Sequence, residues 1–293
     1  HPSQLVWKDR RPIGALFLSS TVPHVPANPR GWFGNRADID TTTDEGRAAF
    51  KTALMRYADT SIAEMKLADA QGMITWDPEG QEHPHATSYL GDPRNLPPEM
   101  DPIIDEYFRK FTDAKLRVGV CVRPQRAGVS FYGAHASQVD IPPWDQFDWL
   151  NDKIAYAKKR WGCSIFYIDS NVDRQHGEYS CSDPAVFRRL AAANPDVLLM
   201  PEHECAAYWS FSAPYNELRQ NWTATPALAR ALYPDSFSII YVADGAIEKR
   251  HDELVRSVRA GDILLFRGWW DDPDNQQVRA IYQEAKQGSK PVP

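Results

Sequence analysis

Apolar residues along this chain gather in short runs of strand length, separated by longer stretches in which they recur three or four positions apart. The runs cover residues 13–19, 73–77, 117–123, 165–169, 197–202, 237–243 and 263–266. Most are rich in Val, Ile, Leu or Phe, as strands covered on both faces are. The stretch 98–114 sets Met100, Ile103, Ile104, Tyr107, Phe108 and Phe111 in an i, i+3, i+4 stripe, which predicts an amphipathic helix. Residues 45–70 bring Phe50, Leu54, Tyr57, Ile62, Met65 and Leu67 to one face, with a break expected near Asp59-Thr60. Segments 144–161, 184–193, 246–260 and 273–286 complete the helices. Pro184 and Pro273 fall where a first helical turn accepts proline, and Gly162 and Gly261 fall at helix exits.

Strand and helix alternate throughout, which predicts parallel strands joined by crossover helices. Seven strands are clear, and an eighth is expected near residues 208–211, inside the weakly patterned stretch 206–234. The expectation is an irregular (β/α)8 barrel forming one catalytic domain over residues 1–293. A doubly wound sheet is the rival, but Ser19-Ser20-Thr21-Val22-Pro23 follows the first run where a dinucleotide fold places a Gly-rich phosphate turn.

Polar residues crowd the C-terminal ends of these runs. They end in Asp77-Pro78-Glu79, Arg123-Pro124-Gln125, Asp169-Ser170-Asn171, Glu202-His203-Glu204, Asp244 and Arg267-Gly268-Trp269-Trp270-Asp271. The strand starts show no such run of acids. In a barrel that asymmetry marks the catalytic rim. Period-2 alternation puts Tyr167, Asp169 and Asn171 on one side of the fourth run and Met200, Glu202 and Glu204 on one side of the fifth. Neighbouring strands lie about 4.8 Å apart. Asp169 and Glu202 are therefore the predicted nucleophile and acid/base of a retaining glycosidase, whose carboxyls stand ~5–5.5 Å apart. Glu204 can replace Glu202 one step further out. Asp244, two runs from Asp169, suits an inverting separation better.

The remaining candidates are predicted to bind substrate. Asp77 and Glu79 either accept sugar hydroxyls or cap the following turn, and Asn171 shares the face of Asp169. Trp32, Trp76, Trp209, Trp269 and Trp270 gather at strand ends, where flat rings suit the C–H faces of sugars. Trp144, Trp149 and Trp161 lie at core spacing on a helix. Arg123, Arg174 and Arg267 either recognise an acidic group on the substrate or, the favoured reading, neutralise the local acids.

Composition narrows the field. The 293 residues are 43% hydrophobic and 25% charged, an ordinary globular balance, and no apolar run is long enough to cross a bilayer. A net charge of −6 argues against nucleic acid or an anionic membrane as partner. The cysteines, Cys121, Cys163, Cys181 and Cys205, contain no CxxC pair. The first two read as buried, and the last two as able to form one disulfide across two loops. No metal and no cofactor is expected: His203 alternates away from Glu202 and Glu204, and His83 and His85 lie in a Pro-containing loop. An N-terminal His1 also suits copper in oxidative polysaccharide enzymes, but those are β-sandwiches. Because the chain starts at His1 without Met, a secreted or periplasmic location is expected.

With these residues in view, the chain resembles a TIM-barrel glycoside hydrolase, most strongly over residues 72–204. The step from Phe111-Thr112-Asp113-Ala114-Lys115 into Leu116-Arg117-Val118-Gly119-Val120 resembles the approach to strand three in α-galactosidase-type barrels. Tyr167-Ile168-Asp169-Ser170-Asn171 is similar to the strand-four segment that carries their aspartate nucleophile. The resemblance implies an acid/base on strand six, loosely matched by Asp244, whereas a glutamate on strand five is the α-amylase-type arrangement. A glycoside hydrolase acting on an oligo- or polysaccharide is therefore the leading expectation. A metal-dependent sugar isomerase, epimerase or deacetylase using Asp77, Glu79, Asp169 and Glu202 or Glu204 is the second. A non-catalytic carbohydrate-binding barrel is the third.

Overall fold

The computed structural model describes residues 5–19, 25–36, 38–81, 90–129, 136–173, 180–268 and 273–287. In chain order the strands are β1 Ile13–Phe17, β2 Gly72–Trp76, β3 Gly119–Val122, β4 Gln125–Val129, β5 Ala136–Asp140, β6 Ile165–Ile168, β7 Val172–Asp173, β8 Ser180–Cys181, β9 Leu198–Pro201, β10 Tyr215–Glu217, β11 Ile239–Tyr241 and β12 Ile263–Arg267. The helices are the single turn α1 Trp32–Asn35, then α2 Asp44–Leu67, α3 Ile104–Asp113, α4 Gln146–Trp161, α5 Pro184–Ala193, α6 Ala227–Leu232, α7 His251–Arg259 and α8 Pro273–Gln287. Eight strands pair in parallel in the order β10-β11-β12-β1-β2-β3-β6-β9. Between β9 and β10 the sheet is bridged by one bond, Ala213 N–H to Leu199 O at 3.0 Å. The fold is an irregular, nearly closed (β/α)8 barrel.

Two apolar layers follow from the period of two. Ile13, Ala15, Ile74, Ile165, Leu198, Ile239 and Ile263 fill the barrel interior. Leu16, Met73, Val120, Phe166, Leu199, Ile240 and Leu264 face outward onto the helices. The α2 residue Met65 covers Gly14: a Cβ there would stand 1.8 Å from its terminal methyl, so a side chain at this position would make the end of Met65 shift. The α3 stripe is buried as predicted, with Ile104, Tyr107, Phe108 and Phe111 inside.

Three expectations are corrected. Residues 208–211 lie in and just after a 3-10 turn, Ala206–Ser210, and the missing strand is β10, three residues long. Helix α2 runs unbroken past Asp59-Thr60. Trp144 is not core: it precedes α4 and is 74% exposed. Two antiparallel ribbons, β4–β5 and β7–β8, also follow the C-terminal ends of β3 and β6. The β7–β8 ribbon brings Cys181 to Cys205. Both thiols are free, and burial, reinforced by the neighbouring Cys205 thiol, pushes Cys181 up to about 11.

Candidate active site

Asp169 and Glu202 stand at the C-terminal ends of adjacent strands, β6 and β9, where the interior faces of Tyr167 and Met200 lead them. Backbone bonds fix both ends, Asp169 N–H to Val122 O at 2.9 Å and Glu202 N–H to Ile168 O at 3.0 Å. The two side chains line one cavity of about 270 Å³ at the top of the barrel. Its floor is a belt of rings contributed by five strands: Phe17 stacks on Trp76 at 4.8 Å, Trp76 meets Tyr167 at 4.8 Å, Tyr167 meets Tyr215 at 5.1 Å, and Tyr241 follows at 6.1 Å from Tyr215.

Asp169 is held from several sides. Arg123 Nη2 donates to Oδ2 at 2.8 Å and Ser170 Oγ donates to Oδ1 at 2.9 Å. The Arg123 guanidinium and the Asp169 carboxylate are almost fully enclosed, at 11% and 9% exposure. Glu202 Oε2 accepts the Ser170 backbone N–H at 2.7 Å and lies 3.3 Å from His203 Nε2. Burial alone would raise the Glu202 carboxyl. The contacts from His203 and the Ser170 N–H outweigh it and hold Glu202 down to about 2.

A second cavity of about 580 Å³ adjoins the first and shares Glu202, Tyr215 and Glu217 with it. His203, Glu204, Asn216, Gln220, Trp222 and Cys181 complete its wall. Burial pushes Glu204 up to about 7, so this carboxyl is split from its neighbour two residues away by environment alone. The Asn216 amide, turned so that its nitrogen faces acceptors, donates to Glu204 Oε2 at 3.0 Å. Glu217, on β10, accepts from Tyr215 Oη at 2.9 Å and pairs with Arg219. His203 faces the same cavity as Glu204, contrary to the alternation expected of it, because β9 ends at Pro201 and the period of two ends with it.

Several predicted substrate contacts are placed elsewhere. Trp32 is fully buried against Phe50 and gives its indole N–H to Glu99 at 3.1 Å. Trp209 is buried with its indole N–H on Ser238. Asn171 is also fully buried: Ser170 takes a left-handed φ of 51°, which turns the chain out of the strand. Its amide then clamps the neighbouring loop, accepting from His203 N–H at 2.9 Å and donating to His203 O at 2.8 Å. Asp77, at φ 57°, begins a turn closed by Gly80 N–H on Asp77 O and accepts from Gln81 at 2.7 Å. Glu79 accepts the Asp92 N–H at 3.1 Å. Burial raises both acids, Asp77 well above its ordinary range and Glu79 to about 7, and neither lines either cavity. Arg123 serves Asp169, and Arg267 serves Asp244. Asp244 reaches the smaller cavity from β11, the seventh barrel strand, so the sixth-strand position belongs to Glu217. Trp76 contributes to the belt. Trp269, Trp270, Arg174, His83 and His85 lie outside the described residues. Among the described residues, no three His, Cys, Asp or Glu side chains group to hold a metal ion, and no helix is long and apolar enough to cross a membrane.

Reasoning from sequence missed Glu217, Tyr215, Tyr241, Phe17 and Trp222. Phe17 and Tyr241 were within reach of the period of two. Glu217 and Tyr215 were not, because three residues carry no alternation to read.

No family model matches the chain, and no curated protein matches its sequence. Solved structures do share its fold. A maltogenic α-amylase from Thermotoga neapolitana superposes with a TM-score of 0.54 at 9% identity, over 95% of this chain and 76% of that one. An α-amylase from Geobacillus thermoleovorans, solved with acarbose, gives 0.51 at 10% identity over 99% and 80%. The galactosidase domain of an α-galactosidase-sucrose kinase gives 0.51 at 14% identity, over 80% of this chain but 38% of that one. What the chain shares with these structures is the TIM-barrel fold.

Proposed function

We propose that this chain is a glycoside hydrolase acting on an oligo- or polysaccharide, with its reaction centre at the shared edge of the two cavities. The observation that carries the reading is the meeting of Asp169 and Glu202 in one open cavity above a belt of aromatic rings. Rings of this kind suit the apolar face of a sugar, and an ionised carboxylate above them suits an electron-poor anomeric carbon.

Asp169, oriented by Arg123 and Ser170, attacks the anomeric carbon as the glycosidic C–O bond breaks. Glu202, held near 2, stays ionised at neutral pH and supports positive charge on the ring rather than donating a proton. The proton comes from Glu204, whose burial keeps it protonated up to about pH 7. It passes to the leaving oxygen. Water then attacks the glycosyl-Asp169 ester, gives its proton to Glu204 and releases Asp169 as carboxylate.

The test is turnover by wild-type protein and by Asp169→Asn over a panel of α- and β-linked glycosides. Cleavage by the wild type that is lost in the variant supports the reading. Equal cleavage by both removes Asp169 from it, and the absence of cleavage across the panel removes the hydrolase itself.

A further inference from the structure

The cavity walls present carboxylates, while the arginines that balance them stand behind. Arg123 and Arg267 hold Asp169 and Asp244 but line neither cavity. The larger cavity is the extreme case. Among the described residues its wall holds Glu202, Glu204, Glu217 and His203, with no Lys or Arg. Arg219 reaches only the smaller cavity and is paired with Glu217.

This charge pattern discriminates among sugars. A uronic acid or sulfated sugar would enter against like charge, which interfaces use to reject wrong partners. A neutral sugar would supply hydroxyls but no counter-charge. A sugar with a free amine, protonated at neutral pH, brings one positive charge and three donors to carboxylates that are already partly stripped of water. Trp222, 37% exposed on the same wall, offers a flat face for the ring. A volume of about 580 Å³ is ordinary for a small-molecule site.

Building on the glycosidase reading above, we propose that the larger cavity is the leaving-group side of the site and that it selects an amino sugar, its ammonium held between Glu202 and Glu217. These two residues line both cavities, so they flank the boundary that a substrate must straddle.

The experiment compares three sets of oligosaccharides in α and β linkage: glucosamine and galactosamine oligomers, their N-acetylated forms and the neutral hexose oligomers. Turnover by the full chain and calorimetric binding to Asp169→Asn are both measured. Acetylation removes the charge and keeps the ring. The free amines are expected to exceed the other sets by about tenfold to a hundredfold in kcat/KM, the worth of one charge-assisted hydrogen bond. The advantage should shrink in high salt and in Glu217→Gln. Equal or better turnover of acetylated or neutral oligomers overturns the amine selectivity and leaves the hydrolase standing. Selective binding of the amines without turnover of any set supports the selectivity and overturns the hydrolase. Neither binding nor turnover overturns both.

Discussion

The backbone N–H of Ser170 lies 2.7 Å from Glu202 Oε2, so the residue that turns the chain out of β6 also fixes the carboxylate at the end of β9. Glu202→Gln weakens that bond and removes the negative charge that His203 meets. A loss of about 1–3 kcal/mol is expected on thermal unfolding, the range for disturbing a partly buried charged acceptor. The pH dependence has a definite sign. Glu202 sits near 2 in the fold against an ordinary 4.5, so its contribution is complete above 4.5 and fades as pH falls toward 2. Denaturation curves across that window should fall less steeply for the variant than for the wild type.

Replacing Asp169 tests a nucleophile more sharply than it tests a fold. Asp169→Asn keeps the shape and the acceptor for Arg123, and turnover should fall by about a thousandfold or more. Asp169→Ala opens space beside the same carbon. If Asp169 attacks, azide should restore part of the activity and yield a glycosyl azide product, read by mass spectrometry. Failure of azide to react, with the variant folded and able to bind sugar, takes Asp169 out of that role.

Glu204 predicts the alkaline limb. A proton donor pushed up to about 7 by burial gives a kcat/KM that declines as pH rises through 7. Glu204→Gln should lose that limb along with most of its activity on ordinary glycosides, and lose far less on aryl glycosides whose leaving group needs no proton. A limb that persists in the variant would assign it to another group, with Glu217 the next carboxyl on the shared wall.

The barrel was legible where the strands are long enough to show their period. Interior and exterior faces of β1, β2, β6 and β12 follow the alternation, and Asp169 and Glu202 meet because that alternation carries just past each strand end. Legibility fails where the backbone turns. Left-handed conformations at Asp77 and Ser170 send Glu79 and Asn171 into buried positions, and a polar residue in sequence does not announce a positive φ. The eighth strand failed for a related reason: a 3-10 turn replaces the crossover helix between β9 and β10, so neither the helix nor the three-residue strand has a period to detect. That single shift moved the sixth-strand position from Asp244 to Glu217.

Lys153 gives the most distant prediction, through a side chain that lines neither of the two cavities. It is fully buried on α4, and its Nζ donates to Arg123 O at 2.7 Å, Gln125 O at 2.8 Å and Leu90 O at 3.1 Å, with Asp92 at 3.9 Å. Those carbonyls belong to the segments after β2 and β3, so the ammonium pins the backbone from which Arg123 reaches Asp169. Lys153→Met keeps the stem but leaves three carbonyls without this donor and Asp92 without this counter-charge. A cost of about 3–5 kcal/mol is expected, as for removal of one partner of a buried pair. The displaced Arg123 should lower kcat more than it raises KM. Burial lowers Lys153 to about 8 from 10.5, against the opposing pull of Asp92 and Glu79, so the native protein binds fewer protons than the unfolded chain between those values. Its contribution to stability therefore rises with pH across that window, and the rise should vanish in Lys153→Met. Unfolding curves at several alkaline pH values, run beside the kcat and KM measurements, check both halves of the argument. A variant as stable and as active as the wild type would show that Arg123 holds its place without the lysine.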